Sequence, residues 1–518
     1  MTPVTDNSAP AADRCRLAEP LALSLVVGAM AAVMFATHRS GHWWGDDWAL
    51  YVRQADGLVS GSPRRVLTEN EFAVTMSRGA AFSPPLYPWG FPLVLAPFVA
   101  VWGTDLDRLA TVSVLGACAF ACAWHLLARR RIGVVPAMVG TIAITTSPLL
   151  LGWTELIQSE WTFMAVATAA LVALDRVAAE GRLVGPTARW TILVGIGLWT
   201  AAAFSVRREG LALAAAVVAA QLAALITTWR QDGRPQIDRR NVGLLLTPHA
   251  VALAAVWALQ TALPTTVIPR YTGTSLLNTW RFRREHVEHL LEIIGLKRPW
   301  EADPTVVGNT ALGWVAAGLF FALAVTGLAW ALVRRRDVHL AVYAVTAFMI
   351  GASFRVPVNR YLCTVAPILL LLGLSLVTRV GRLARRQWVG AAVTTVAVAA
   401  IVVGNLANAN LRIERAADAA AAGTVEWGPT HPDALDLFAE VRARTSADDV
   451  VGAPKARAMT FATDRLAVQV DDHRDIPDIE LALVVTEPST EIHRRLLADP
   501  AYARVWSNAR FTIFRPRS

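Results

Sequence analysis

Apolar residues run along this chain in long stretches, and charged residues gather in the gaps between them. A helix that crosses a bilayer needs about 20 mostly apolar residues. Runs near that length fall at residues 18–37, 107–128, 132–151, 160–178, 188–205, 209–228, 242–263, 310–333, 338–354, 360–378 and 388–407. The stretch PPLYPWGFPLVLAPFVAVWG, from Pro84 to Gly103, is also apolar but carries five prolines, and repeated loss of amide donors is costly in lipid. If it stays out of the bilayer as an interfacial or re-entrant segment, Arg14/Arg16, Arg129 to Arg131, Arg176/Arg182, Arg230 to Arg240, Arg334 to Arg336 and Arg379 to Arg386 all fall on one side. If it crosses, the later clusters move away from the N-terminal tail. Positive charge collects in cytoplasmic loops, so the pattern predicts about eleven spans, a cytoplasmic tail over residues 1–17 and a membrane domain over 18–408.

Past residue 409 the pattern changes. A helical stretch, DALDLFAEVRARTS, alternates with strand-like runs, DVVGA, LALVVTE and ARFTIFRP. Residues 409–518 therefore read as a small α/β domain on the extracytoplasmic side. The fold class expected is a polytopic α-helical membrane protein with that domain appended. No internal repeat of fixed period is present.

Composition agrees: 54% of the 518 residues are hydrophobic and 17% charged, which excludes a soluble domain. The net charge of +9 reflects topology, because the arginines flank apolar runs, and it does not argue for nucleic acid. The N-terminus has no small-residue cleavage site, so the first run is expected to remain as an anchor. Cys118 and Cys122 lie four apart, a spacing that suits small residues packing between helices. No cysteine spacing suggests a disulfide framework or zinc.

The loops on the extracytoplasmic side carry unusual charge. After the first run comes HWWGDDWALYVRQADG. A carboxylate at mid-bilayer costs about 2.5–3.5 kcal/mol, so Asp46 and Asp47 belong just beyond the first span, with Trp43, Trp44 and Trp48 at the interface. Either acid could simply cap a helix over Trp48–Val59. Glu155 and Glu160 follow in SPLLLGWTELIQSEWTF, then Arg207, Arg208 and Glu209 in SVRREGLAL, then Arg355 and Arg360 in FRVPVNRYLCTVAP. Charges in hairpins this tight point into a polar cavity or hold an anion; the plainer alternative is snorkelling at helix ends. Carboxylates beside arginines suit one chemistry. A carboxylate takes the proton of an acceptor hydroxyl, and arginines hold a departing phosphate. The donor so implied is a sugar on a lipid phosphate.

In their order, DDWALYVRQA, SPPLYPWGFP, SPLLLGWTELIQSE, RREGL and RYLCTVAP resemble the GT-C glycosyltransferases, in particular the glycosyltransferase 39, protein O-mannosyltransferase, aminoarabinose transferase and RgtA-like group. The resemblance covers roughly residues 20 to 410, and APKARAMTFATDR in the tail is similar to the outer domain of bacterial members. It implies a GT-C-like membrane domain and transfer of a sugar from a polyprenyl-phosphate donor to a cell-envelope glycan, lipid or protein. It also implies Asp47 as base, by its register to Tyr51 and Ala55, with Asp46 as helper or cap and Glu160 or Glu155 as second acid, where relatives often carry aspartate. Arg208 and Arg360, then Arg207 and Arg355, become phosphate partners, and Tyr87 and Tyr361 line the cavity. Some relatives bind a divalent cation, which adjacent carboxylates suit, but no His-rich or EF-hand spacing supports one here. His286 and His289 read as part of an amphipathic interfacial helix. A transporter or flippase of a lipid-linked intermediate, and an inactive scaffold, are the competing readings. Transporters commonly show paired repeats and charges at mid-membrane, neither of which is present.

Overall fold

A computed structural model describes residues 9–78, 87–185, 187–232, 239–265, 275–296, 311–335, 337–354, 356–384 and 386–517. In chain order the helices begin with α1 (Ala9–Ala36), α2 (Asp47–Val59), α3 (Pro63–Met76), α4 (Gly90–Trp102), α5 (Leu106–Ile132), α6 (Val134–Thr145), α7 (Pro148–Gly152) and α8 (Glu160–Ala179). They continue with α9 (Trp190–Val206), α10 (Leu211–Asp232), α11 (Arg239–Ala262), α12 (Leu276–Arg281), α13 (Arg283–Ile293), α14 (Ala311–Arg334), α15 (Val338–Ala352), α16 (Val365–Leu383) and α17 (Gln387–Ala422). Among the described residues, eight of these are long and apolar enough to cross a membrane: α1, α5, α8, α10, α11, α14, α16 and α17.

Three of the eleven expected spans are not single full-length helices. Residues 132–151 form a broken span, α6 and the segment Pro148–Glu155 meeting at 55°, where Pro148 follows Thr146 and Ser147 and cannot donate to the preceding turn. Helix α9 has 17 residues and α15 has 15. At 1.5 Å per residue, α15 covers about 22 Å of a hydrocarbon core about 30 Å thick. The turns that follow α9 and α15 carry Arg207, which is buried, and Arg360, which is half-buried, so both turns are recessed into the bundle instead of standing clear of it. Among the described residues, the proline-rich segment is helical over the 13 residues of α4.

Ion pairs tie the opposite ends of these helices. Arg131 donates to Asp175 at 2.5 Å and to Asp337 at 2.7 Å, Arg379 bonds the other Asp337 oxygen, and Glu19 takes Arg129 at 2.6 Å. The arginine clusters of several connections therefore share one end, as the charge pattern required.

The C-terminal part is a five-stranded mixed sheet with α18 (Pro432–Arg444), α19 (Ala456–Thr463) and α20 (Glu491–Ala498). Its strands are β1 (Val450–Ala453), β2 (Leu466–Gln469), β3 (Leu483–Thr486), β4 (Tyr502–Ser507) and β5 (Thr512–Pro516), in the order β2-β1-β3-β5-β4. β1 runs parallel to β2 and β3, with Val451 opposite Ala467 and Leu483, and β5 is antiparallel to β3 and β4. All four β3 residues are buried because both faces are covered. Leu437, Val441 and Met459 pack on one face and Ile492 and Leu496 on the other. Phe72 and Met76 of α3 join that second face, which fastens the sheet to the membrane-domain loop holding the tandem acids.

Candidate active site

The tandem acids open α2 and divide at once. Asp46 stands at the N-cap position without capping its own helix; its Oδ1 accepts instead from the backbone N–H of Ala458 in α19, 3.2 Å away. Asp47 faces the bundle. Its Oδ1 accepts from the Tyr87 hydroxyl at 2.5 Å and its Oδ2 from Arg360 Nη1. Tyr87 is held by Gln54 Nε2, which donates to its carbonyl at 3.2 Å, and by the Tyr51 ring at 5.1 Å. Tyr51, one helical turn beyond Asp47, pairs with Ser159 Oγ at 3.3 Å and meets Phe91 edge-on.

Beside this pair lies a second, closed ion cluster. Glu160 opens α8 and is 1% exposed. Arg207 donates to Glu160 at 2.6 Å, to Ser159 at 3.1 Å and through two nitrogens to Glu209 at 2.8 and 3.2 Å. The two clusters meet where Arg360 Nε comes within 4.0 Å of Glu160 Oε1. Arg360 Nε and Glu160 Oε2 are buried with no hydrogen-bond partner among the described residues, and folded proteins leave few such atoms unpaired. Tyr361 lies under both arginines, 5.6 Å from each guanidinium to the ring centre.

Position sets the protonation of the acids. Burial pushes Asp46 above the usual carboxylate range, against the pull of Arg457 and the Ala458 amide. Burial also works to raise Asp47, but Arg360, the Tyr87 hydroxyl and Arg457 outweigh it and hold that carboxyl at about 2. The guanidinium of Arg360 is held well above its ordinary value, despite burial, by Asp47, Tyr361 and Glu160. Asp47 is therefore ionised and Arg360 charged at any physiological pH. A divalent cation does not fit the tandem acids as they stand, because Asp47 is already enclosed by the guanidinium groups of Arg360 and Arg457.

Of the residues named from sequence, the fold gathers Asp47, Tyr87, Glu160, Arg207, Arg360 and Tyr361, with Asp46 beside them but turned to α19. Glu155 is elsewhere, paired with Arg412 at 2.9 Å and Arg39 at 3.4 Å, since the 3-10 turn at Trp153–Glu155 aims it at α17. Arg208 lies over Phe204 and donates to Thr265 at 3.2 Å. Arg355 lies outside the described residues. His286 is buried against Phe282 and Phe348, on the inward face of α13. The tryptophan belt is also corrected: Trp48 is buried against Phe461, Trp44 packs on Phe438 and Phe511, and only Trp43 of the three is exposed, because the C-terminal sheet covers this loop. Sequence reasoning missed Arg457, whose Nη1 donates to the Tyr87 hydroxyl at 3.1 Å and approaches Asp47 Oδ1 to 4.0 Å. Nothing in its short helical run distinguishes it from other arginines of the tail.

No protein-family model matches the sequence, and no curated protein matches it significantly. Solved structures do. ArnT from Cupriavidus metallidurans bound to undecaprenyl phosphate aligns over 95% of this chain and 97% of its own, with TM-score 0.52 and 15% identity. Its apo form aligns over the same shares, with TM-score 0.53 and 14% identity. The Archaeoglobus fulgidus oligosaccharyltransferase tethered to an acceptor peptide gives TM-score 0.48 and 13% identity, over 90% of this chain and 69% of its own. Membrane helices, recessed charged turns and terminal sheet together make this chain a multi-pass membrane protein with the GT-C fold, shared with ArnT along nearly its whole length.

Proposed function

We propose that this protein is a membrane glycosyltransferase that moves a sugar from a polyprenyl-phosphate donor to a cell-envelope acceptor outside the cytoplasm. The observation that carries the proposal is the clasp of Asp47 by Arg360 and Tyr87, at a recessed helix end on a GT-C fold. ArnT, which has that fold, was solved with undecaprenyl phosphate. In the reaction, an acceptor hydroxyl oxygen forms a bond to the anomeric carbon. The bond from that carbon to the phosphate oxygen breaks, polyprenyl phosphate leaves with the electron pair, and the hydroxyl proton passes to Asp47.

Asp47 is a poor base while Arg360 sits on it, because a carboxyl held near 2 is far from the near-neutral value that favours proton abstraction. A donor phosphate competes for the same guanidinium through bidentate hydrogen bonds. As Arg360 turns from Asp47 to the phosphate, it neutralises the leaving group and frees the carboxylate at the same time. Glu160, its near oxygen held by Arg207, orients an acceptor or sugar hydroxyl through its free Oε2.

The test uses the full protein in nanodiscs with a panel of radiolabelled polyprenyl-phosphate monosaccharides and an envelope fraction as acceptor, scoring released polyprenyl phosphate and labelled product. Wild type is expected to release polyprenyl phosphate from at least one donor, and Asp47→Asn to fall by about 10²–10⁴-fold. Full transfer by Asp47→Asn, or passage of labelled lipid across a vesicle without covalent product, refutes the proposal; the second outcome instead favours a flippase.

A further inference from the structure

The C-terminal sheet is attached to the loop that carries the acids, and the attachment is specific. Phe461 of α19 stands edge-on to Trp48 at 5.1 Å. Arg53 of α2 donates to the Thr460 carbonyl at 3.3 Å and to Asp464 at 2.9 Å. Where the two parts touch at Gly41 and Gly428, with φ of +120° and +100°, a Cβ on Gly428 would collide with the Gly41 and His42 carbonyls, so only glycine permits the approach. Asp46 spends its carboxylate on the first turn of α19, a placement suited to the positive end of a helix. Two residues of α19 therefore reach the tandem acids: the Ala458 amide holds Asp46, and the neighbouring Arg457 side chain meets Tyr87 and approaches Asp47.

Arg457 is 5% exposed. Its Nε donates to Asn70 Oδ1 of α3 at 2.8 Å and its Nη1 to the Tyr87 hydroxyl at 3.1 Å, with the guanidinium 4.8 Å from the Tyr87 ring centre. The Tyr87 hydroxyl accepts that bond and spends its own proton on Asp47. A guanidinium has no acceptor, so the direction of the chain is fixed: Arg457 donates to Tyr87 and Tyr87 donates to Asp47. Resting on the glycosyltransferase reading above, we infer that Arg457 is a positioning residue supplied by the C-terminal domain, which orients Tyr87 and keeps Asp47 ionised when Arg360 leaves for the phosphate, and that Asp46 is the latch that seats it.

The division of labour follows from geometry. Arg360 bonds Asp47 directly and is partly exposed, 25% at its side chain, so a ligand can reach it. Arg457 is held on two sides and separated from Asp47 by 4.0 Å, so it stays. The other groups facing Asp47 are Tyr51 on α2 and Glu160 on α8, the latter through Arg360, and Asp46 next to it. None of these is a cation, so once Arg360 has moved the carboxyl is held down by the Tyr87 hydroxyl and by Arg457, which orients that hydroxyl.

The experiment compares wild type, Arg457→Ala, Arg457→Lys and Asp46→Ala in the full nanodisc protein, using whichever donor lipid wild type consumes. Turnover is measured from pH 2.5 to 9 alongside thermal unfolding. Arg457→Ala is expected to lower kcat by about 10-fold or more with little change in donor KM, and to move the acid limb of the pH profile upward by about one unit, since a neighbouring arginine depresses a carboxyl by about 1–3 units. Arg457→Lys restores the acid limb but not full kcat, because it keeps the charge and loses the fixed fork. Asp46→Ala, which removes the acceptor of the Ala458 amide, shows the same acid-limb shift in part, through a loosened α19. If Arg457→Ala and Arg457→Lys both keep the wild-type pH profile and kcat, this inference is wrong while the glycosyltransferase reading stands. A lower unfolding temperature with an unmoved acid limb means that Arg457 only glues the domain in place, and overturns it too. A wild type that consumes no donor removes both.

Discussion

The buried cluster around Arg207 makes the sharpest quantitative demand. Arg207, Glu160 and Glu209 have side chains 8%, 1% and 6% exposed, and one guanidinium serves both carboxylates. Replacing Arg207 by alanine strands two buried acids. Breaking a buried ion pair costs about 3–5 kcal/mol, because the remaining charge keeps its desolvation penalty without compensation. Arg207→Lys keeps the charge but cannot span Glu160 while gripping Glu209 with two nitrogens, so its loss is intermediate. Arg207→Ala combined with Glu209→Gln leaves one stranded acid instead of two and recovers part of the loss. Arg360→Ala differs in kind: Arg360 and Asp47 are 25% and 21% exposed, water reaches the carboxylate left behind, and the expected loss is in donor binding. The assay is apparent unfolding temperature by intrinsic fluorescence at one scan rate, since membrane-protein unfolding is commonly irreversible. The order expected is Arg207→Ala lowest, then Arg207→Lys and the double variant, then Arg360→Ala near wild type. If Arg207→Ala unfolds with wild type, or Arg360→Ala falls as far, the separation of a structural from a ligand-binding arginine is mistaken.

Two further outcomes check other parts of the argument. Glu155→Gln should leave transfer within about threefold of wild type while Glu160→Gln loses at least about tenfold, measured as polyprenyl phosphate released, because Arg360 links Glu160 to Asp47 while Glu155 pairs with Arg412 and Arg39. At the opposite end of the bundle, burial raises the Asp337 carboxyl but Arg131 and Arg379 bring it below its usual range, so the stability it contributes is complete above the unfolded value near 3.9 and lost as pH falls through the lower folded value. Asp337→Asn keeps a residue type that tolerates the φ of +60° found there. It should unfold earlier than wild type by about 3 kcal/mol at pH 7, the gap closing below about pH 4; an equal gap at both pH values contradicts the assignment.

Much of this architecture was legible because the bilayer leaves few options. Continuous apolar runs announce helices, and arginine clusters announce their common end; Arg131, Asp175 and Asp337 meet where that logic puts them. Helix length was legible less well, since α9 and α15 continue in sequence into charged turns whose hydropathy does not reveal that they dip into the bundle. In the C-terminal part, the runs that became β1, β3 and β5 are β-branched and apolar. β2 and β4 lie at the edges, where side chains are mixed and local pattern is weak.

At the candidate site, the types of residue were readable and their partners were not. Carboxylates and arginines in hairpins too tight to solvate them must find each other or a ligand, and Asp47, Glu160, Arg207 and Arg360 do. Which acid meets which base is decided by packing across the chain: Asp47 and Arg360 are 313 positions apart, and Glu155 and Glu160 separate because Glu155 closes a 3-10 turn while Glu160 opens α8. The tandem aspartates show the limit most clearly. Adjacent residues at a helix start point in different directions, so one of the two had to face away from the bundle. Only the presence of α19 determines that Asp46 binds a backbone amide there, leaving Asp47 as the acid that meets the recessed arginines.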